Sequence, residues 1–181
     1  MQHCVVIREA CPEDSSAIRA VHIDAFKNTE EADLVAALTG DRGARNVLSL
    51  VAELEGNGVV GHVLFSLVGI EGQPGVVVYI LCPMAVKPPY QRQGIGGKLV
   101  LAGFDRLQGR GADLVLVLGD PAYYSKHGFE PALPLGLVPP HPTSQSHPGA
   151  WSVKALSPAT SPVPGRVLVP PPLDAPELWA D

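Results

Sequence analysis

Three glycines fall within four positions of the segment QRQGIGGKLV, residues 91–100, which continues into a helical pattern. Helix N-termini leave backbone N–H groups unpaired and carry a partial positive charge, so they attract phosphate groups. Gly94, Gly96 and Gly97 remove side chains where phosphate oxygens would approach, and they permit backbone angles that turn N–H groups inward. The segment therefore predicts either an anion-binding loop or a plain turn before a helix.

Two well-known phosphate motifs do not fit this segment. The dinucleotide fingerprint GxGxxG needs a third glycine where Leu99 stands. The triphosphate loop GxxxxGK[ST] accommodates Gly97 and Lys98, but Arg92 and Leu99 occupy its other required positions. Both failures weaken a general nucleotide-binding function.

Composition limits the other classes of function. A chain of 181 residues with 46% apolar and 17% charged residues is typical of one globular domain. Its net charge of -5 argues against nucleic acid or an anionic membrane surface as the main partner, since both require clustered Lys and Arg. The three cysteines lack metal-ligand spacing, so we expect no disulfide and no metal site.

No targeting or membrane segment is expected. The N-terminal residues MQHCVVIREACPED carry acids where a secretion signal would be basic and then apolar. The longest apolar stretch, around residues 76–80, is far shorter than the roughly 20 residues of a membrane-spanning helix. We therefore expect a soluble, cytoplasmic protein.

Hydrophobic periodicity and turn residues give the order of elements. The pattern predicts a helix that starts at Pro12, a second helix over 30–38 stopped by Gly40, and a third behind the glycine segment. Strands are predicted over 4–10, 46–54, 59–70, 76–86, 114–118 and 150–156. A strand, a helix and a buried strand in succession imply a right-handed crossover between parallel strands. The predicted fold is mixed α/β (α+β) with a mostly antiparallel central sheet.

The composition changes near Pro131, after which most of the prolines lie. We expect one domain over residues 1–156 and a proline-rich tail over 157–181, whose last stretch is polyproline-like or loosely packed. The tail could cover a substrate pocket or form a dimer contact, and the protein could be a monomer or a homodimer.

Three segments together resemble a known family. Gln91-x-x-Gly94-x-Gly96, the preceding MAVKP at 84–88 and the later PAYYSKHGF at 121–129 resemble the GNAT superfamily of acetyl-CoA-dependent N-acetyltransferases. The resemblance runs from about residue 5 to 129, and the sequences of these motifs are most similar to those of a bacterial subgroup of predicted N-acetyltransferases. It implies a splayed strand pair in the sheet, with helices on both faces.

The resemblance also implies a coenzyme site. The pyrophosphate of coenzyme A would lie on the N–H groups at the helix start, with Arg92 adding a charged contact and Lys126 a candidate for another. The pantetheine arm would run along the splayed strand. The implied coenzyme-binding residues are Met84, Ala85, Val86, Gln91, Arg92, Gln93, Gly94, Ile95, Gly96, Gly97 and Lys126.

In the family an amine attacks the thioester carbonyl directly. The resemblance implies a backbone N–H near Met84 as the oxyanion donor. It implies Tyr124, four residues before Gly128-Phe129, as the general acid for the leaving thiolate. The neighbouring Tyr123 is expected to be a core tyrosine.

The general base is less defined. Glu30, Glu31, Asp24 and His62 are candidates, and a water chain is an alternative. We choose Glu31, because its segment helps to form the acceptor pocket in this family, whereas His62 is expected to be a half-buried, satisfied histidine. Cys82 is expected to be a buried apolar thiol. The predicted function is transfer of the acetyl group of acetyl-CoA to an amine, and the alternative is a non-catalytic acyl-CoA-binding or sensing module.

Overall fold

The computed structural model describes residues 4–40 and 46–180. The strands in these ranges are β1 (Val5–Glu9), β2 (Val47–Leu54), β3 (Gly58–Ile70), β4 (Val78–Val86), β5 (Leu114–Leu118), β6 (Glu130–Pro131), β7 (Leu137–Val138), β8 (Trp151–Ala155) and β9 (Gly165–Leu168). The helices are α1 (Ser15–Phe26), α2 (Glu30–Thr39), α3 (Ile95–Gly109) and α4 (Pro121–Tyr124), joined to the strands by loops and short 3₁₀ turns. The predicted mixed α/β fold with a mostly antiparallel sheet is confirmed.

The chain divides into two compact units. The first comprises Met1–Phe65 and Cys82–Asp105, and the second comprises Ser66–Leu81 and Arg106–Asp181. β3, β4 and α3 therefore each contribute residues to both units. The predicted boundary between a domain over 1–156 and a tail over 157–181 stays a prediction.

In the first unit the strand order is β1-β2-β3-β4. β1 and β2 are antiparallel, with Val5 opposite Leu54. In the turn between β2 and β3, Asn57 donates its N–H to the Leu54 carbonyl at 2.9 Å. The left-handed residues of this turn are Gly56 and Gly58, with φ of 79° and 72°, angles that suit glycine.

Both predicted N-terminal helices are confirmed, and they pack on each other. α1 buries Ile18, Val21 and His22, which recur at helical spacing. α2 begins at Glu30 as predicted and buries Ala32, Val35 and Leu38 before it ends next to Gly40. These two stripes supply apolar residues to the core of the first unit.

A buried carboxylate joins β1 to the start of α1. Asp14 is only 7% exposed, and Arg8 donates to its two oxygens at 2.7 and 2.9 Å. The backbone N–H of Cys11 donates to Asp14 Oδ2 at 2.8 Å. These bonds, above all those from Arg8, hold the pKa of Asp14 well below its usual range.

In the second unit the first half of β4 pairs with β5, and the strand order continues through β8 to β6. β4 and β5 are parallel as predicted, with Val78 opposite Leu114, and α3 lies between them along the chain. β8 is antiparallel to β5, with Val153 opposite Leu116. β8 is the strand predicted from AWSVKAL.

The C-terminal segment is more ordered than expected. β9 pairs parallel with β7 and antiparallel with the end of β3, although prolines flank it. The expectation of a loosely packed last stretch is wrong for two residues: Leu173 and Trp179 are 1% and 2% exposed. The Trp179 ring packs edge-on against Trp151, and its N–H donates to the Leu173 carbonyl at 2.9 Å. Two large apolar side chains thus pack this last stretch, which forms two 3₁₀ turns, Pro171–Leu173 and Pro176–Leu178.

Candidate active site

The glycine segment forms a tight turn that leads into α3. Gln91 anchors it, since its side-chain amide donates to the Val86 carbonyl at 2.8 Å. Arg92 and Gly94 both have left-handed backbones, with φ of 60° and 83°. For Arg92 this conformation is unfavourable, and such angles collect at functional turns. The first helical backbone bond of the turn runs from Lys98 N–H to the Gly94 carbonyl, so the preceding N–H groups are those that a helix leaves unpaired.

The space next to this turn is open. A Cβ added at Gly94 would meet no heavy atom within 4 Å. By contrast, a Cβ added at Gly61 on β3 would come within 3.2 to 3.3 Å of Leu99, Ala52 and Ile95 side-chain atoms. Gly61 therefore lets the first turn of α3 lie close to the sheet. The turn is fixed on its core side and open where a ligand could approach its N–H groups.

The second half of β4 carries the predicted pantetheine segment. Pairing of β4 with β5 covers Val78–Leu81, so the residues from Cys82 onward lie beyond it. Cys82, Met84 and Val86 are partly exposed, whereas Ala85 between them is buried. This alternation follows the period of a strand. Met84 and Val86 thus share one face with Cys82, and Ala85 faces the core.

Glu31 is placed on the first turn of α2. Its Oε2 is buried and has no hydrogen-bond partner among the described residues. Glu31 lies close to Cys82: burial raises the pKa of the Cys82 thiol to about 12, and the charge of Glu31 raises it further. A buried carboxylate oxygen without a donor is costly, because it has lost water and gained no bond in return. This oxygen is therefore suited to accept a bond from a cationic ligand.

The other acidic candidates differ from Glu31. Glu30 is exposed. Asp24 is also exposed, and its Oδ2 lies 3.9 Å from Lys87 Nζ. In these two residues the carboxylates face solvent. Glu31 alone among the three acidic candidates has a buried carboxylate oxygen without a partner.

His62 is completely buried, not half-buried, and both of its ring nitrogens are bonded. Its Nδ1 lies 2.8 Å from His22 Nε2, and its Nε2 lies 2.8 Å from Ser49 Oγ. Burial lowers the pKa of His62 to about 3 and that of His22 to about 4. Both rings are therefore neutral at pH 7, and protonation of either is unfavourable. This arrangement favours a structural role for His62.

His22, the partner of His62, was not predicted from the sequence. A signal was present, since His22 follows the buried Ile18 by four residues and so lies on the same face of α1. Apolar periodicity alone does not reveal it, because histidine counts as polar in such a pattern.

Tyr124 ends α4 in the second unit. Asp120 caps this helix by accepting from the Ala122 N–H at 2.9 Å. The ring of Tyr124 packs edge-on against Phe129, with centroids 5.6 Å apart. It also covers Gly119, where an added Cβ would lie 2.5 Å from Tyr124 Cε2. The absence of a side chain at Gly119 thus sets the position of the Tyr124 ring.

The remaining predicted site residue, Lys126, lies in the 3₁₀ turn that follows Tyr124 and is exposed. Its charge, together with burial as the larger cause, lowers the pKa of His127. Tyr123 contacts the His127 ring edge-on, and burial raises the pKa of its phenol. Tyr123 is therefore only partly buried, and the expectation of a core tyrosine is wrong.

Neither a metal centre nor a bilayer-spanning element is found in residues 4–40 and 46–180. No three His, Cys, Asp or Glu side chains there are grouped so that they could hold a metal ion. No helix in those ranges has the length and apolar character needed to cross a membrane.

Comparison with known proteins identifies relatives over most of the chain. The acetyltransferase (GNAT) domain family model matches residues 45–131. The chain is 42% identical over 146 residues to the uncharacterised N-acetyltransferase YjhQ of Escherichia coli strain K12, covering 80% of each protein. It is 38% identical over 126 residues to YhbS, an uncharacterised N-acetyltransferase of the same strain, covering 70% of this chain and 74% of YhbS.

Two solved structures are also similar. The crystal structure of Escherichia coli YhbS in complex with CoA has a TM-score of 0.79 and 33% identity, covering 92% of this chain and 90% of that one. A GNAT family acetyltransferase from Brucella melitensis in complex with acetyl-CoA has a TM-score of 0.74 and 35% identity, covering 96% of this chain and all of the other.

Proposed function

We propose that this chain, which belongs to the GNAT family of acetyltransferases, transfers the acetyl group of acetyl-CoA to a primary amine by direct attack. The chain is an acyltransferase, and acetyl-CoA is its co-substrate, in line with the coenzyme complexes of relatives that are 33% and 35% identical to it. The observation that carries the finer proposal is the buried, unpartnered oxygen of Glu31.

The open turn before α3 supports the coenzyme site. A pyrophosphate would accept bonds from the N–H groups of Arg92 to Gly97, because these groups precede the first helical bond and no side chain fills the space beside Gly94. Arg92 would add a charged contact to a phosphate. Lys126 would make a second charged contact to a phosphate. The pantetheine arm would run along Met84, Ala85 and Val86.

Glu31 would orient the acceptor and take its proton. An amine with a reference pKa near 10 arrives as an ammonium ion, which the partly buried carboxylate of Glu31 attracts. Once Glu31 has accepted the proton, the free amine can attack the thioester carbonyl. The nitrogen releases a second proton to solvent as the bond between the carbonyl carbon and sulfur breaks, and the thiolate leaves.

Tyr124 would protonate that thiolate. A thiol has a reference pKa near 8.5 and a phenol one near 10, so only modest help is needed and a phenol can supply the proton. The oxyanion formed during attack would accept from a backbone N–H near Met84, a contact that is typically worth about 3 to 4 kcal/mol of barrier.

The state of Cys82 argues for direct attack over an acetyl-cysteine intermediate. A thiol must ionise to be a strong nucleophile, and burial raises the pKa of Cys82 to about 12. The thiol is therefore protonated at pH 7. We expect Cys82→Ala to keep turnover, and an acetylated enzyme that disappears in this variant would contradict direct attack.

The proposal is tested by thiol release from acetyl-CoA across a panel of amines that includes polyamines, amino-acid amides and peptides. Calorimetric titration of coenzyme A runs in parallel. Turnover with at least one amine is expected. Tight coenzyme binding without turnover for any amine would favour the non-catalytic acyl-CoA-binding module, and the absence of both would refute the function.

The role of Glu31 has its own test. Glu31→Gln should lower kcat/KM at pH 7, and the loss should shrink as the pH approaches about 10, where the acceptor is already a free amine. The matched control is Glu30→Gln, which removes the adjacent exposed carboxylate and should have little effect. A loss that is constant with pH would assign Glu31 to structure and not to proton transfer.

A further inference from the structure

A cavity of about 650 Å³ lies within the second unit. It is lined by residues 131–151 of the connection from β6 into β8, together with one residue of β9. Its volume falls within the range of about 300 to 1,000 Å³ that is typical of small-molecule sites. None of the residues assigned to acetyl transfer lines it.

Most of the lining is apolar. It includes several prolines and two side chains that are unusually exposed for their type, Leu133 at 55% and Val138 at 38%. Trp151 also lines the cavity, and its indole N–H is already bonded to the Leu137 carbonyl at 3.0 Å. Proline restricts the backbone, so little conformational entropy is lost when a ligand orders this surface. The cavity is therefore suited to an apolar molecular body.

Arg166 of β9 is the one lining residue with a permanent charge. Its Nη1 donates to the carbonyls of Pro139 and Pro140 at 3.3 and 3.4 Å, which are long for N–H···O bonds. No carboxylate of the described residues forms an ion pair with it. Asp174, which does not line the cavity, is bonded to Nε2 of the lining residue His141 at 2.7 Å. A guanidinium has five N–H donors in a planar fork, and most of those of Arg166 remain available.

We propose that this cavity binds a small organic acid, with its carboxylate on Arg166 and its apolar body against the proline-rich lining. The planar fork of arginine matches the two oxygens of a carboxylate. A neutral ligand would form no charge-assisted bond to Arg166, which is exposed, and a compact inorganic anion would leave the apolar lining unused. The net charge of the chain is -5, so an anion requires a local cation such as this one. The inference does not depend on acetyl transfer.

Tryptophan fluorescence reports on this cavity directly. The chain contains two tryptophans. Trp151 lines the cavity, and the ring of Trp179 packs against the ring of Trp151 with centroids 5.6 Å apart. The probe is cyclohexanecarboxylate, which does not absorb where tryptophan is excited. Cyclohexanecarboxamide has nearly the same shape without the charge. We expect a saturable change in emission with the carboxylate and none with the carboxamide.

The variants Arg166→Gln and Arg166→Lys test the contact. Loss of charge-assisted bonds should weaken carboxylate binding at least about tenfold in Arg166→Gln. Arg166→Lys keeps the charge and should bind with intermediate affinity. Lys27→Gln is the matched control, since it removes one positive charge from the first unit and should leave the affinity unchanged.

Three results would overturn the proposal: equal binding of carboxylate and carboxamide, unchanged affinity in Arg166→Gln, or no saturable response to the carboxylate. Arg166→Gln could alter the cavity itself, which would change the emission without ligand. In that case the comparison of carboxylate and carboxamide binding to the original protein still tests the proposal. Saturating coenzyme A should leave the affinity for the carboxylate unchanged. Competition by coenzyme A would place the binding elsewhere and also overturn the proposal.

Discussion

Replacing Gly119 with alanine should impair catalysis through Tyr124. The backbone of Gly119 is not left-handed, so alanine is not strained there. Its Cβ, however, would lie 2.5 Å from Tyr124 Cε2 and 3.0 Å from Cδ2. Carbon atoms pack at about 3.5 Å or more, so the edge of the ring must retreat by about 1 Å.

The size of the effect follows from the role proposed for the phenol. A positioned general acid contributes about 10² to 10⁴ in rate, and the lower end applies because a thiolate is a good leaving group. Tyr124→Phe should therefore reduce kcat about 100-fold. A displacement of about 1 Å can cost a similar factor, so Gly119→Ala should approach the same loss. Affinity for coenzyme A, measured by calorimetry, should change little in either variant.

The double variant tests whether Gly119 acts only through Tyr124. If Gly119→Ala acts only by moving the phenol, adding it to Tyr124→Phe should cause almost no further loss in the thiol-release assay. Full additivity of the two losses would show that Gly119 acts independently of Tyr124. The matched control is Tyr123→Phe, which should retain kcat, and an equal loss there would remove the assignment of Tyr124 as the acid.

Gly94→Val should weaken coenzyme A binding at least about tenfold, measured by calorimetry, because it strains a left-handed backbone and fills the space before the N–H groups of α3. Asp14→Asn should lower the free energy of unfolding at pH 7 by about 1 to 3 kcal/mol in urea titrations, since it breaks charged bonds to Arg8. Because folding lowers the pKa of Asp14, this contribution is present above the unfolded pKa near 4 and is lost as pH falls, so the two proteins should converge in acid. Gly103→Ala should destabilise the fold, because its Cβ would lie 2.3 Å from the buried Phe65 ring and an overpacking cost of about 1 to 3 kcal/mol exceeds a helix-propensity gain of about 1.

Each of these changes has a control. Gly111→Val imposes similar backbone strain at φ of 77° away from the coenzyme turn, and an equal loss of affinity there would assign the Gly94 effect to stability. A stability difference between Asp14→Asn and the original protein that stays constant from pH 7 to strong acid would contradict the pKa argument. Gly109→Ala lies in the same helix, where a Cβ meets no atom within 4 Å, and it should not destabilise.

Local sequence was sufficient for much of the fold. The helix over 30–38, the glycine turn before α3 and the strand at 114–118 follow from periodicity and from breakers, which act over a few residues. The parallel pairing of β4 with β5 followed from their order along the chain and the handedness of the crossover. The pairing of β9 with β3 and β7 was not predictable, because prolines hid a four-residue strand and its partners are remote in sequence.

Part of the candidate site likewise follows from local sequence, and part depends on the tertiary structure. The spacing of Gln91, Gly94 and Gly96 identifies the coenzyme turn, since a phosphate is bound there by backbone groups whose geometry glycine permits locally. Burial of one Glu31 carboxylate oxygen near Cys82, complete burial of His62, and the cavity at Arg166 all depend on packing between segments that are distant along the chain. A carboxylate has the same pattern in sequence whether it faces water or the core. Its hydrogen-bond partners, its desolvation cost and its chemistry are set by neighbours that come together only when the chain folds.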